Sequence, residues 1–302
     1  MDLLINLSNH RPKVQFITPM KPPTPPQAHE IDLIVKSALQ EDLGTGDVTG
    51  RLLPDQAQGV ARIVCREDAV ICGRPWFDAV FQQVAPQATI HWKVEEGSRV
   101  GANTLLCEVQ GAARALLTAE RTALNFLQTL SGTATATRRL ADLLVGTRTR
   151  LLDTRKTLPG LRVAQKYAVR CGGGHNHRMG LYDAILIKEN HIAAAGSITA
   201  AVAAARRLAP QLLLEVEVES LVQLEEALAV GTPRILLDNM DVAMLHEAVA
   251  ITHGRAELEA SGGIDAHNLR AVAETGVDFV SLGGLTKHVR AVDLSLRYTP
   301  AA

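Results

Sequence analysis

The chain has 302 residues, long enough for one large domain or two of ordinary size. Its formal net charge of −1 gives no overall pull toward nucleic acid or an anionic membrane, and aromatics at 3% leave few rings to stack on bases. No apolar run approaches the length that spans a bilayer, so a soluble protein with neither a membrane nor a nucleic-acid partner is expected.

Residues 1–28, with Pro22, Pro23, Pro25 and Pro26, lack apolar periodicity and read as a Pro-rich, disordered tail. Residues 29–130 read as a separate α/β unit. An amphipathic helix covers Ile31–Gln40, strands cover Val60–Cys65 and Ile90–Val94, and β-like segments with turns fill Val94–Val109. A helix over Thr118–Ser131 bridges to the next unit. Cys65, Cys72, Cys107 and Cys171 form no C-x-x-C pair and no framework, as suits small apolar residues in a reducing compartment, with cytoplasm the default.

From residue 131 to 288 the pattern becomes regular. Apolar runs recur at Arg150–Asp153, Ala184–Ile187, Leu212–Val218, Arg234–Leu237, Ala256–Ala260 and Asp278–Leu282. Ser197, Ser220, Asp241 and Asp265 stand at N-cap positions, and Gly231, Gly254 and Gly276 where three helices end. The later spacing of roughly 22 residues is that of a strand–helix unit in a parallel barrel. Six strands are fewer than eight, so an incomplete barrel, or a barrel with an unread strand, is expected. Val292, Leu294, Leu296 and Tyr298 alternate with polar residues, which predicts a last strand within 289–302 returning to the first unit.

Barrel active sites form at the C-terminal strand ends. Here those ends carry Thr154-Arg155-Lys156, Lys188, Glu217, Asp238-Asn239, Ser261-Gly262-Gly263 and Gly283-Gly284. Between Arg148 and Arg178 stand eight Lys/Arg against one acid, Asp153. Arg162, Lys166 and Arg170, spaced at four, read as a solvated helix face. Arg155, Lys156 and Arg178, beside a strand end or a glycine run, read as anion ligands, because the planar guanidinium fork matches carboxylate and phosphate. Gly172-Gly173-Gly174 allows close backbone approach to a ligand. His175-x-His177 lacks a third metal ligand at fixed spacing. Lys188 is open to two readings, anion binding or a Schiff base. Glu217 and Asp238 suit a Mg2+ held through few protein oxygens, or ion pairs with the arginines. The residues alone thus reach a barrel enzyme for a polyanionic substrate with a phosphate site.

Asp153–Arg162, Lys166–Val169 and Cys171–Arg178 closely resemble the quinolinate phosphoribosyltransferases. So do Glu41–Thr49, Glu120–Phe126, Leu186–His191, Glu215–Val218, Leu237–Asn239 and Gly283–Val289, in family order over roughly residues 30–300. Met240 and Gly284 depart from the pattern without removing a charge. The resemblance implies an α/β sandwich domain plus an incomplete α/β barrel, and a homodimer in which Arg121 reaches the partner's site. It implies phosphoribosyl transfer to quinolinate with decarboxylation, in de novo NAD biosynthesis. Arg121, Arg155, His177, Arg178 and Lys188 would surround quinolinate. Thr154, Lys156, Glu217, Asp238, Ser261, Gly262, Gly263, Gly283, Gly284, Leu285 and Lys287 would hold phosphoribosyl pyrophosphate (PRPP). Glu217 and Asp238 would ligate Mg2+, and with Lys188 form the catalytic set. The alternatives are a nicotinate phosphoribosyltransferase, a Schiff-base aldolase on Lys188, and a non-catalytic anion binder; the full set of charged strand-end residues argues against the last.

Overall fold

The structure, a computed structural model, describes residues 22–301. The first 21 residues of the expected tail lie outside that range, and 22–27 carry no helix or strand. Helix α1 (Ala28–Leu43) buries Ile31, Val35 and Leu39, four apart on one face, and ends at Gly44 with φ +48°. Strands β1 (Gln58–Cys65) and β2 (Ala69–Val70), helix α2 (Arg74–Val84), and strands β3 (Thr89–Trp92), β4 (Arg99–Val100) and β5 (Thr104–Ala112) follow. β1 alternates exposed or half-buried with buried residues, as a sheet with one covered face requires.

The bridging helix α3 spans Ala113–Leu143, far beyond Thr118–Ser131. Periodicity misses its second half because small residues are buried there: Gly132, Thr133, Ala134, Thr135 and Thr137. They let other chain segments press close. A Cβ on Gly132 would lie 2.2 Å from the Arg290 carbonyl oxygen. The buried hydroxyls are bonded, Ser131 Oγ accepting from Cys72 N at 3.0 Å and Thr135 Oγ1 from Val70 N at 2.8 Å. The helix therefore runs unbroken across residue 131, where the sequence suggests a boundary.

The second unit comprises β6 (Arg150–Leu152), α4 (Arg162–Cys171), β7 (Ala184–Ile187), α5 (Glu189–Ala195), α6 (Ile198–Leu208), β8 (Leu213–Val218), α7 (Leu221–Ala229), β9 (Arg234–Asp238), α8 (Val242–Thr252), β10 (Glu257–Ser261), α9 (Leu269–Glu274), β11 (Phe279–Ser281) and α10 (Gly284–Lys287). The last strand, β12 (Leu294–Pro300), returns to pair antiparallel with β1, in a four-stranded sheet ordered β12-β1-β5-β3. All five pairings of the six-stranded sheet are parallel, in the order β6-β11-β10-β9-β8-β7. The first strand pairs with the last and not with the second, which is a barrel interrupted between β6 and β7. His175 to Arg178 cross that opening. His175 N donates to Leu151 O at 2.8 Å, and Arg178 Nη1 reaches the Ala184 carbonyl at 3.3 Å.

Ser197, Ser220 and Asp241 cap α6, α7 and α8 through side-chain oxygens. Asp265 does not cap α9. It nucleates a turn one step earlier, accepting from His267 N, and α9 begins after Asn268. Val216, Ile235, Leu237, Leu258, Ala260 and Val280 join the core beneath the helices. With period-two alternation, the strands turn Glu215, Glu217, Asp238, Glu259, Ser261 and Ser281 to the other face, inside the barrel.

The basic helix face is not solvated throughout. Only Arg170 is exposed; Arg162 bonds Met179 O at 3.2 Å, and Lys166 is fully buried against Asp153, with side chains 1% and 0% exposed. Asp153 also accepts His177 N at 2.9 Å and Asn176 Nδ2 at 2.5 Å. Burial pushes the Asp153 carboxyl up and the Lys166 ammonium down, and their mutual pairing opposes both shifts. Removing one partner leaves a buried charge uncompensated. Lys166→Met is expected to cost about 3–5 kcal/mol in urea unfolding; a loss below about 1 kcal/mol would reduce the pair to an ordinary surface contact.

Candidate active site

Every strand-end residue named from the sequence lies at the C-terminal mouth of the barrel. Thr154, Arg155 and Lys156 follow β6, Lys188 follows β7, Glu217 lies near the end of β8, and Asp238 and Ser261 end β9 and β10. Gly283 follows β11, and α10 carries Gly284, Leu285 and Lys287.

The turns interlock. Asn239, at φ +55°, donates its N–H to Ser261 O at 2.9 Å and its Nδ2 to Asp238 Oδ2 at 2.7 Å. Gly262 and Gly263 both have positive φ, and a Cβ on Gly262 would sit 2.1 Å from Asn239 Oδ1. A Cβ on Gly283 would sit 2.8 Å from Lys156 Cδ. Gln165 fastens the 154–158 loop to the last turn, accepting from Leu158 N at 2.8 Å and donating to Thr286 O at 2.8 Å. Among the described residues the N–H groups of Gly262, Gly263, Gly283 and Gly284 meet no protein acceptor, so they remain available to an anion. Leu285 differs from the expectation: it is buried and its N–H donates to Leu282 O at 3.4 Å.

The cations divide into two kinds. Lys188 Nζ is ion-paired with Glu217. Arg155, Lys156 and Arg178 meet no carboxylate among the described residues; Arg155 Nε is buried without a hydrogen-bond partner. Burial, and then the neighbouring charge of Arg155, press the Arg178 guanidinium down from its ordinary value. Like charges held together without counter-ions suit an anionic ligand.

His177 does not face the mouth with a free nitrogen. Its Nδ1 accepts from Arg178 N at 2.7 Å, and its Nε2 lies 2.9 Å from Glu215 Oε2 and 3.5 Å from Glu259 Oε2. His175 opens instead toward Ala141 and Leu144, so the His-x-His pair does not converge. The Gly172–Gly174 run serves packing: added Cβ atoms would meet Ala134 O at 2.5 Å from Gly172 and Val169 Cγ1 at 2.8 Å from Gly174. Arg121 stands apart on α3, its side chain 60% exposed and its one carboxylate neighbour among the described residues, Glu120, 3.9 Å away.

Residues 133–297 match the family model of the quinolinate phosphoribosyl transferase C-terminal domain, and residues 47–131 that of its N-terminal domain. The chain belongs to the quinolinate phosphoribosyl transferase family. A relative from Mycobacterium leprae, named nicotinate-nucleotide pyrophosphorylase (carboxylating), is 45% identical over 269 residues, covering 87% of this chain and 95% of its own. The Arabidopsis thaliana protein of that name, marked chloroplastic, is 39% identical over 299 residues, covering 92% and 85%. The solved nicotinate-nucleotide pyrophosphorylase of Francisella tularensis is 46% identical, with a TM-score of 0.89 over 91% of this chain and 98% of that one. The α/β fold with its N-terminal sheet domain and parallel-strand C-terminal domain is thus a quinolinate phosphoribosyl transferase fold.

The sequence assigns no site role to Asp153, Gln165, Glu215 or Glu259, and puts Lys166 on a solvated helix face. A signal existed for the acids: Asp153 is the one acid among eight basic residues, and Glu215 and Glu259 interrupt apolar strands.

The interlocked turns predict a difference between two glycines. Gly254, at φ +74°, has open space around its Cβ position, so Gly254→Ala should cost about 1–2 kcal/mol for the left-handed backbone alone. Gly262→Ala adds a collision with Asn239, and thermal unfolding should place it clearly lower; equal midpoints would show that Asn239 yields freely.

Proposed function

We propose that this chain transfers the phosphoribosyl group of PRPP to quinolinate and releases pyrophosphate and CO2, forming nicotinate mononucleotide in de novo NAD biosynthesis. The observation that carries the reading is the set of basic groups at the mouth, Arg155, Lys156 and Arg178, without carboxylate partners among the described residues. The family and its named relatives support the substrate and the decarboxylation.

In this reaction the quinolinate ring nitrogen attacks C1 of the ribose. The C1–oxygen bond breaks and pyrophosphate leaves with the bonding pair. The cationic ring then accepts the electron pair of the bond to the C2 carboxylate as CO2 departs, and a proton from water completes C2–H. Arg155 and Arg178 clamp the carboxylates and fix the ring for attack. Lys156, Lys287, Thr154 and the free N–H groups of the two glycine turns hold the phosphates.

Glu217 and Asp238 would hold Mg2+. The donor chemistry fits a hard cation: Glu217 Oε2 meets Lys188 and Asp238 Oδ2 meets Asn239, while Glu217 Oε1 and Asp238 Oδ1 accept no hydrogen bond from the described residues. When bound, the ion supplies positive charge beside the pyrophosphate oxygens. Lys188, held by Glu217, stands at the same mouth as a cation for the reacting centre, and this pairing favours anion binding over a Schiff base.

A homodimer accounts for Arg121, 60% exposed and bonded to no residue of the mouth among the described residues, and for Leu33, Val48 and Leu52, exposed by 67%, 74% and 82%. Among the described residues no helix is long and apolar enough to cross a membrane. Four free, buried cysteines support a reducing compartment, with cytoplasm as the proposed one.

Purified protein with quinolinate, PRPP and Mg2+ should release CO2 and pyrophosphate together, and Arg155→Ala should reduce turnover by about a hundredfold or more. Pyrophosphate from nicotinate without CO2 would replace quinolinate as the substrate. Mixing Arg121→Ala with Arg155→Ala protein should restore about a quarter of wild-type turnover, because the mixed dimer of a two-fold assembly regains one intact site. No restoration after subunit exchange would remove Arg121 from the partner's site.

A further inference from the structure

One residue step below the mouth, the barrel interior is polar where branched apolar residues ordinarily pack. Glu215 lies below Glu217 on β8, Glu259 below Ser261 on β10, and Ser281, the last residue of β11, below Gly283. His177, from the segment that crosses the open edge, reaches down to them. Glu215 and Glu259 are 1% and 0% exposed, and Glu215 Oε1 and both Glu259 carboxyl oxygens accept no hydrogen bond from a backbone or side-chain N–H among the described residues.

Three ligand atoms this close invite a metal ion, but the histidine argues otherwise. Nδ1 faces the Arg178 N–H, so Nδ1 is the bare nitrogen and Nε2 carries the proton toward Glu215. A metal at Nε2 would force the proton onto Nδ1, where it would meet another donor. One N–H, 2.9 Å from Glu215 and 3.5 Å from Glu259, therefore faces two buried carboxyls, and burial beside Glu215 disfavours a charge on Glu259.

We propose that Glu259 is a positioning residue: as a neutral carboxyl it braces Glu215, which fixes the His177 tautomer, and His177 in turn holds the Arg178 backbone at the carboxylate-binding mouth. The substrate half of this rests on Arg178 being a quinolinate ligand; the protonation half does not.

Burial and then the charge of Glu215 raise Glu259 to about 8. The groups facing it are Glu215 from β8, His177 from the crossing segment and Ser281 from β11, with Leu236 of β9 its apolar sheet partner. Lys166 from α4 acts on His177, and Arg178 on Glu215, from further out. Burial opposes the imidazolium, but the Glu215 hydrogen bond and the charges of Glu259 and Glu215 outweigh it and hold the ring's pKa above its ordinary value; the Arg178 N–H, which needs a bare Nδ1, keeps any proton on Nε2, facing Glu215. A carboxyl whose folded pKa lies above its unfolded value keeps its proton when the unfolded chain has lost it. Its contribution to stability is whole below about 4.5, is lost as pH rises toward about 8, and is flat beyond.

The test compares wild type, Glu259→Leu and Glu259→Gln between pH 5 and 9, reading urea midpoints and the kinetics of quinolinate. Glu259→Leu is expected to raise KM for quinolinate by about tenfold, the scale of one buried hydrogen bond, with a smaller change in kcat. Glu259→Gln, which mimics the neutral carboxyl, should restore KM at pH 7, remove its rise above pH 8, and flatten the fall of the urea midpoint between pH 5 and 8. A Gln variant no better than Leu, with the wild-type pH dependence intact, would overturn the proposal. So would stoichiometric Zn2+ in the purified wild type that is lost in Glu259→Leu. Should wild type fail to use quinolinate, the reading of the mouth fails, while the urea profiles still decide whether Glu259 keeps its proton.

Discussion

The mouth of this barrel depends on one buried carboxylate. Asp153 follows the first barrel strand and is reached by the Lys166 ammonium, the Asn176 amide and the His177 N–H. These three come from α4 and from the segment that crosses the barrel opening. A single acid thus joins a strand, a helix and a loop, beside the short backbone bridge between Leu152 and His175. Its neighbours in sequence are Thr154, Arg155 and Lys156, and the neighbour of His177 is Arg178. Fixing Asp153 fixes the positions from which the unpaired cations project. Burying the pair is costly for both groups, so it is better understood as setting a unique geometry than as a source of stability.

An incomplete barrel follows from the same device. A closed sheet would pair β6 with β7 and leave no route for a chain segment between them. Here β6 pairs with the His175 backbone, and the next contact, Arg178 to the Ala184 carbonyl, spans to β7 by a side chain. The opening places a histidine and an arginine where a strand would present a regular alternation. The glycine run before them matters for packing against α3, at Ala134 and Thr137, so that the segment can turn inward at all.

Much of this was legible in the sequence. All six barrel strands fall within the apolar runs to within a residue or two, because buried parallel strands read as continuous apolar stretches. Three caps were legible from single polar residues, since a cap is a local interaction. What escaped was non-local. Lys166 lies four residues from Arg162 and from Arg170, so helix spacing alone groups them, yet Asp153 draws Lys166 inward across 13 positions. The long α3 escaped because Gly, Ala and Thr are buried through close approach of other backbone, which leaves no apolar period. Resemblance implies a role for Leu285 beside the Gly283-Gly284 turn, but its N–H is already used inside that turn. Resemblance supplied Arg121, whose position on an exposed helix face carries no signal in one chain.

The two polar layers of the barrel are complementary. The upper layer holds Arg155 close enough to disfavour the charge on Arg178, and neither guanidinium is ion-paired with a carboxylate among the described residues. The lower layer carries the balancing sign: Glu215 sits near enough to favour the charge on Arg178, but it is fully buried and already faces His177. It can therefore steady the arginine without occupying the face a ligand must take. Were Glu259 also ionised, the lower layer would draw Arg178 downward and compete with an anionic substrate for it. A neutral Glu259 leaves one negative charge beneath two arginines, enough to tolerate their proximity and too little to satisfy both. The remaining positive potential is then directed upward, where carboxylates and phosphates would enter.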